Sequence, residues 1–116
     1  MKVLILGAGA VGLSLAARLS PFCDVHALCR PQHAEAIAQR GFCMSGIWGD
    51  GRFHFHASSE LPAGQIFDYC LITSKSLQTR ELCEHHPEVT ATAELVSLQN
   101  GIGNEEILAE YSDRVI

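Results

Sequence analysis

Four short stretches hold residues whose type and spacing can do chemistry. The first is Gly7-Ala8-Gly9-Ala10-Val11-Gly12. Glycines at this spacing can cradle a dinucleotide diphosphate: Gly7 permits a tight turn, Gly9 lets backbone approach a pyrophosphate with no Cβ in the way, and Gly12 lets a following helix lie close to the preceding strand. The diphosphate then rests on N–H groups at a helix N-terminus, where the macrodipole favours negative charge. The spacing alone is weak evidence, and a purely structural strand-to-helix turn is the competing reading. Context decides between them. A continuous apolar run, Val3 to Leu6, precedes the glycines, and Val11, Leu15 and Leu19 follow at helical spacing up to Pro21, as the dinucleotide fingerprint requires.

The second stretch, Ala27-Leu28-Cys29-Arg30-Pro31-Gln32-His33, ends the next apolar run. NAD sites place an acid here to hold the ribose hydroxyls, whereas NADP sites use an Arg for the 2′-phosphate. No acid is present, and Arg30 offers a fixed cation with a fork suited to phosphate. The reading is NADP(H) over NAD(H), the alternative being that Arg30 is only a solvated charge. Asp24, at the beginning of the run, reads as a turn residue far from the cofactor. The third stretch, Leu71 to Thr79, puts Lys75 at the end of an apolar strand, and the fourth, Leu98 to Glu106, puts Asn100 with Gly101 and Gly103 at the end of the next. Ligands of open α/β sheets bind outside the carboxyl ends of the strands, so both residues are candidates to face the cofactor. A lysine pointing to solvent and an asparagine satisfying local backbone are the alternatives.

These residues need elements to hold them, and the chain alternates strand and helix. Val3 to Leu6 has the pattern of a central parallel strand covered on both faces. Asp24 to Cys29 predicts a second strand, and Pro31 to Arg40 a helix with Pro at its first turn and Gly41 past its end. From Gly41 to Ser59, Phe42, Met44, Phe53 and Phe55 alternate with smaller or polar residues across Gly49-Asp50-Gly51, which predicts a hairpin or two short strands. Phe67 to Thr73 predicts a strand, Ser76 to His86 a helix stopped by Pro87, and Leu95 to Gln99 a further strand. Asn104 can cap a helix whose first turn holds Glu105 and Glu106. Val115 and Ile116 read as the start of one more strand, so the chain reads as cut from something longer. The expected fold is α/β, a Rossmann-type doubly wound, mostly parallel sheet with a small extra β-hairpin, spanning 1–116 as one domain.

Composition narrows the partners. Eight Lys+Arg against 13 Asp+Glu give a net charge of −5, which leaves no basic excess for nucleic acid or anionic lipid. No apolar run reaches the length of about 18 residues that a bilayer demands, and only Lys2 precedes the first strand, unlike a secretory leader. A cytoplasmic protein is expected. The five cysteines, Cys23, Cys29, Cys43, Cys70 and Cys83, form no C-x-x-C pair and read as reduced, mostly buried thiols. Only Arg30, beside Cys29, is a basic neighbour able to activate one of them. His54 and His56 fall two apart on a predicted strand and so share a face, and His85-His86 adjoin Pro87; without a carboxylate or thiol at ligand spacing, no metal is expected. His85 and His86 can complement the negative end of their helix when protonated.

Taken together, GAGAVG, Arg30, the T-S-K-S-L-Q-T segment and L-Q-N-G-I-G-N-E-E resemble the N-terminal, NADP-binding domain of the ketopantoate reductase (2-dehydropantoate 2-reductase) family over the whole chain, including the hairpin around Gly46 to Phe55. The resemblance implies that Gly7 to Gly12 hold the diphosphate, Arg30 the 2′-phosphate, that Lys75 lies near the cofactor, and that Asn100 sits between nicotinamide and a small 2-keto acid substrate. It implies NADPH-dependent reduction of ketopantoate to pantoate, on the route to pantothenate and coenzyme A. It also implies that the general acid, a Lys, belongs to an all-helical C-terminal domain absent here, so no catalytic residue is assigned and Lys75 does not inherit that role. Two alternatives stand beside it: a non-catalytic NADP-binding regulatory or partner module, and the first domain of another NADP-dependent hydroxy-acid dehydrogenase. Apolar surface that would meet a second domain makes self-association an expectation.

Overall fold

The structure, a computed structural model, describes residues 1–7, 9–44, 51–61, 64–74, 79–98 and 104–115, with backbone alone at Ala10, Asn104 and Glu105. Along the chain run β1 (Lys2–Leu6), α1 (Ala10–Leu19), β2 (Asp24–Leu28), α2 (Pro31–Arg40), β3 (Phe42–Met44), β4 (Gly51–Phe53), β5 (His56–Ser58), β6 (Tyr69–Ile72), α3 (Thr79–His85), α4 (Pro87–Thr92), β7 (Glu94–Ser97) and α5 (Asn104–Ala109). Among the described residues, five strands form one sheet in the order β5-β2-β1-β6-β7, every pairing parallel. Val115 adds an isolated parallel bridge to Leu95 beyond β7.

Alternation along β1 builds the core on both faces. Val3 and Ile5 join Leu13, Ala16, Val25, Ala27 and Ile37 beneath α1 and α2, whereas Leu4 and Leu6 join Phe67, Ile72, Cys83, Val89, Leu95 and Leu108 beneath α3, α4 and α5. Leu4 and Ile5 are both 0% exposed, and burying each contributes about 1.5–3 kcal/mol. The continuous apolar run is thus explained by helices on both sides.

α1 packs on a different stripe from the one its leucines and valine suggested. Leu13, Ala16 and Ala17 are buried, Leu15 and Leu19 half-buried, and Val11 is 67% exposed. Gly12 is buried with them. Small side chains on this stripe let the helix axis approach the sheet closely, and that contact outweighs the larger residues' preference for burial. α2 follows expectation, with Pro31 at its start and Gly41 beyond its end at φ +77.

Three expectations change in the second half. The predicted hairpin is β3 against β4, antiparallel, with Phe42 opposite Phe53, and its turn at 45–50, Trp48 included, lies outside the described residues. His56–Ser58 leaves it and extends the main sheet beside β2. His54 therefore falls between β4 and β5, and the shared strand face proposed for His54 and His56 does not exist. Pro87 does not merely stop a helix: its fixed φ and missing N–H suit a first helical position, and it opens α4.

Candidate functional site

From β1 the chain moves through α1 to β2 on one side, and it reaches β6 on the other side of β1 only after β5. The order thus reverses between β1 and β6, and their connections diverge, leaving a crevice beyond their carboxyl ends. A groove of about 1060 Å³ opens there. Gly7, Gly9 and Val11 line it from the end of β1, Cys29, Arg30 and His33 from the end of β2, Ser59 to Leu61 from the end of β5, and Thr73 and Ser74 from the end of β6. Glu81, Leu82, His85, His86 and Glu88 of α3 and α4 form its far wall. The β5-to-β6 crossover carries no helix among its described residues, and Leu61, Gly64 and Gln65 of that segment also line the groove.

The glycine turn divides two jobs between two residues. Gly7 has φ +75, and a Cβ there would run into Ser74 Cβ and lie 3.1 Å from Ser74 Cα. Its missing side chain closes β1 against β6. Gly9 N-caps α1 in an extended conformation, φ −97, and a Cβ there would meet nothing within 4 Å. Its missing side chain leaves space in the groove. The first intrahelical bond runs from Leu13 N–H to the Gly9 carbonyl at 2.9 Å, so the N–H groups before it have no intrahelical acceptor. No acid stands in the first turn of α1. Open space, backbone donors and a positive helix end together suit an anion such as a diphosphate. Ala8 lies outside the described residues, as does the Ala10 side chain.

Arg30 is the N-cap of α2, and its carbonyl accepts bonds from His33 N–H and Ala34 N–H, both at 3.0 Å. These bonds fix the backbone while the exposed side chain stands on the groove. The neighbouring Cys29 thiol is not activated by it; burial pushes the thiol up instead. Cys43 is exposed and Cys23 and Cys29 half-buried, so only Cys70 and Cys83 meet the expectation of buried thiols. Lys75 and Asn100 both lie outside the described residues. Their flanks are anchored: Thr73 N–H bonds the Leu6 carbonyl at 3.2 Å, and Leu98 N–H bonds the Ile72 carbonyl at 3.0 Å.

Several groove residues were invisible to sequence reasoning. Ser74 is 6% exposed, packed against Gly7, and it stood in the quoted T-S-K-S segment without an assigned role. Glu60 reaches the groove only because β5 pairs with β2. Behind it lies a polar relay: His26 Nε2 is 2.7 Å from Ser58 Oγ, and Ser58 Oγ donates to the Glu60 carbonyl at 2.7 Å. His26 is 9% exposed. Burial above all, then the nearby His56 and Lys2, hold its pKa below the ordinary value, with Asp24 opposing. On the far wall, Glu81 and His85 form an exposed pair at 3.9 Å, and burial lowers the His86 pKa. Among the described residues no three His, Cys, Asp or Glu side chains gather as a metal set, and no helix is long and apolar enough to cross a membrane.

Known proteins resemble this chain in sequence and fold. The family model for ketopantoate reductase PanE/ApbA matches residues 3–116. The 2-dehydropantoate 2-reductase of Pyrococcus horikoshii is 34% identical over all of this chain, which spans 38% of that relative. Among solved structures, a PanE/ApbA family ketopantoate reductase from Ralstonia eutropha JMP134 has a TM-score of 0.89 at 34% identity, covering 99% of this chain and 40% of its own. The ternary structure of D-mandelate dehydrogenase with NADH and anilino(oxo)acetate, at 22% identity and a TM-score of 0.83 over 99% of this chain and 39% of its own, shares the fold. With the family model spanning nearly every residue, this chain belongs to the ketopantoate reductase family.

Proposed function

We propose that residues 1–116 are the NADP(H)-binding domain of a cytoplasmic 2-dehydropantoate 2-reductase, which reduces a small 2-keto acid to its 2-hydroxy acid on the route to pantothenate and coenzyme A. The observation that carries this reading is the convergence of the Gly7–Gly9 turn and Arg30 on one groove at the strand-order reversal. Membership of the family, whose curated member from Pyrococcus horikoshii bears that enzyme name, supports the reaction. A bound nicotinamide supplies the hydride for the carbonyl carbon.

The remaining work falls to the protein. Gly9 and the start of α1 hold the diphosphate, Gly12 keeps α1 close to the sheet, and Val11 covers the groove beside them. Arg30 engages the 2′-phosphate with a forked cation. Lys75 is assigned to the cofactor, and Asn100 to the boundary between cofactor and substrate, where its amide can orient a carbonyl. The general acid is assigned to a part of the enzyme outside this chain, which spans 38% of its relative.

Calorimetric titration with NADPH and with NADH tests this. NADPH is expected to bind more tightly, and Arg30→Ala to remove most of the difference, costing about 1.5–3 kcal/mol for a lost charge-assisted contact to phosphate. Absence of binding by either nucleotide at millimolar concentration would overturn the assignment.

A further inference from the structure

Glu60 belongs to the same recognition site as Arg30, a relation that only the fold creates. β2 and β5 run parallel with Leu28 opposite Ser58, and Cys29 N–H bonds the Ser58 carbonyl at 2.9 Å. Two residues beyond that matched pair stand Arg30 on one strand exit and Glu60 on the other. Neighbouring strands lie about 4.8 Å apart, so the register puts Arg30 and Glu60 at equivalent positions just past two adjacent strand ends. Both line the groove.

We propose that Glu60 is the acid that reads the 2′ position of the cofactor, supplied by β5 instead of β2. The inference rests on the cofactor reading above and adds to it a determinant opposed to Arg30. A carboxylate only accepts hydrogen bonds; it takes a strong one from a ribose 2′-hydroxyl and repels a 2′-phosphate. Arg30 does the reverse. The pair therefore sets a moderated preference for NADPH instead of an exclusive one.

Glu60 is also held from behind. Ser58 has one hydroxyl proton, and it goes to the Glu60 carbonyl. Its oxygen is thereby left to accept from His26, which dictates the tautomer with the proton on Nε2. His26 is itself fixed by the His56 ring at 6.1 Å and the Phe67 ring at 6.2 Å. The relay, anchored on buried His26, pins the backbone from which the carboxylate extends, so Ser58 and His26 act as positioning residues.

Calorimetry on the chain with NADH and NADPH tests the assignment, using Glu60→Gln, which keeps size and removes charge. The variant is expected to weaken NADH, tighten NADPH and raise the NADPH-to-NADH affinity ratio about fivefold, the scale of one exposed charge contact. Ser58→Ala, which frees the backbone and keeps the carboxylate, is expected to weaken NADH and leave NADPH nearly unchanged, a split that a general loss of fold would not give. If the parent chain binds NADPH and Glu60→Gln leaves NADH affinity unchanged, the role of Glu60 is overturned while the cofactor reading stands. If the parent binds neither nucleotide, both fall. NADH affinity unchanged by Ser58→Ala removes the positioning role alone.

Discussion

Gly7 and Gly9 look alike in the sequence and do different things in the fold. Gly7 sits at φ +75 against Ser74, so Gly7→Ala meets two costs, about 1–2 kcal/mol for the left-handed backbone and about 1–3 kcal/mol for overpacking. Thermal unfolding should register a loss of about 2–4 kcal/mol, with cofactor binding falling as a consequence. Gly9 has an ordinary φ of −97 and open space where a Cβ would stand. Gly9→Ala should leave stability within about 0.5 kcal/mol of the parent and still weaken NADPH binding severalfold, because the new methyl occupies the groove. NADPH affinity unchanged in Gly9→Ala would mean that the diphosphate does not rest against Gly9. The contrast separates a glycine the fold needs from one the ligand needs.

At the scale of elements, the seam between β2 and β5 has a built-in response to pH. His26 is held neutral, chiefly by burial and then by His56 and Lys2. In the unfolded chain it takes up a proton at its ordinary pKa of 6.5, so below that value the unfolded state binds more protons. Stability is therefore complete above about pH 6.5 and declines as pH falls. His86, also lowered by burial, acts in the same direction. His26→Gln keeps a donor for Ser58 and cannot titrate; the fall in melting temperature between about pH 7 and pH 5 should be shallower, with His86 supplying what remains. Parallel profiles for parent and variant would remove His26 as the source. The same seam marks where sequence reading stops. β1, α1, β2 and α2 were legible because their signals are local: an apolar run, a helical period, Pro31 and Gly41 at the ends of one helix. The glycine turn was legible for the same reason. The pairing of β5 with β2 joins residues about thirty apart in the chain, and no local pattern carries it. Glu60 was missed with it. Pro87 stands after the end of α3 as expected, but that it also opens α4 was missed, because the same restricted φ that ends one helix suits the start of another.

At the scale of the whole molecule, reduction of a keto acid requires a held cofactor, a held carbonyl and a proton donor, and holding reactants together accounts for about 7–11 kcal/mol of a barrier. Among the described residues of the groove, the cations and histidines are Arg30, His33, His85 and His86, and the carboxyl side chains are Glu60, Glu81 and Glu88. Arg30 cannot give up its proton at neutral pH. His33 stands on the first turn of α2, and His85 and His86 at the junction of α3 and α4. None of these stands directly after β1 or β6, where Gly7 and Ser74 meet. A chain that spans 38% of its relative is thus expected to bind NADPH with measurable heat and to show no loss of NADPH absorbance when 2-dehydropantoate is added. The two measurements belong together, since binding without turnover identifies a half-site, whereas neither identifies a failed cofactor assignment. Turnover at rates typical of enzymes, about 1 per second or faster, would place a proton donor within these 116 residues.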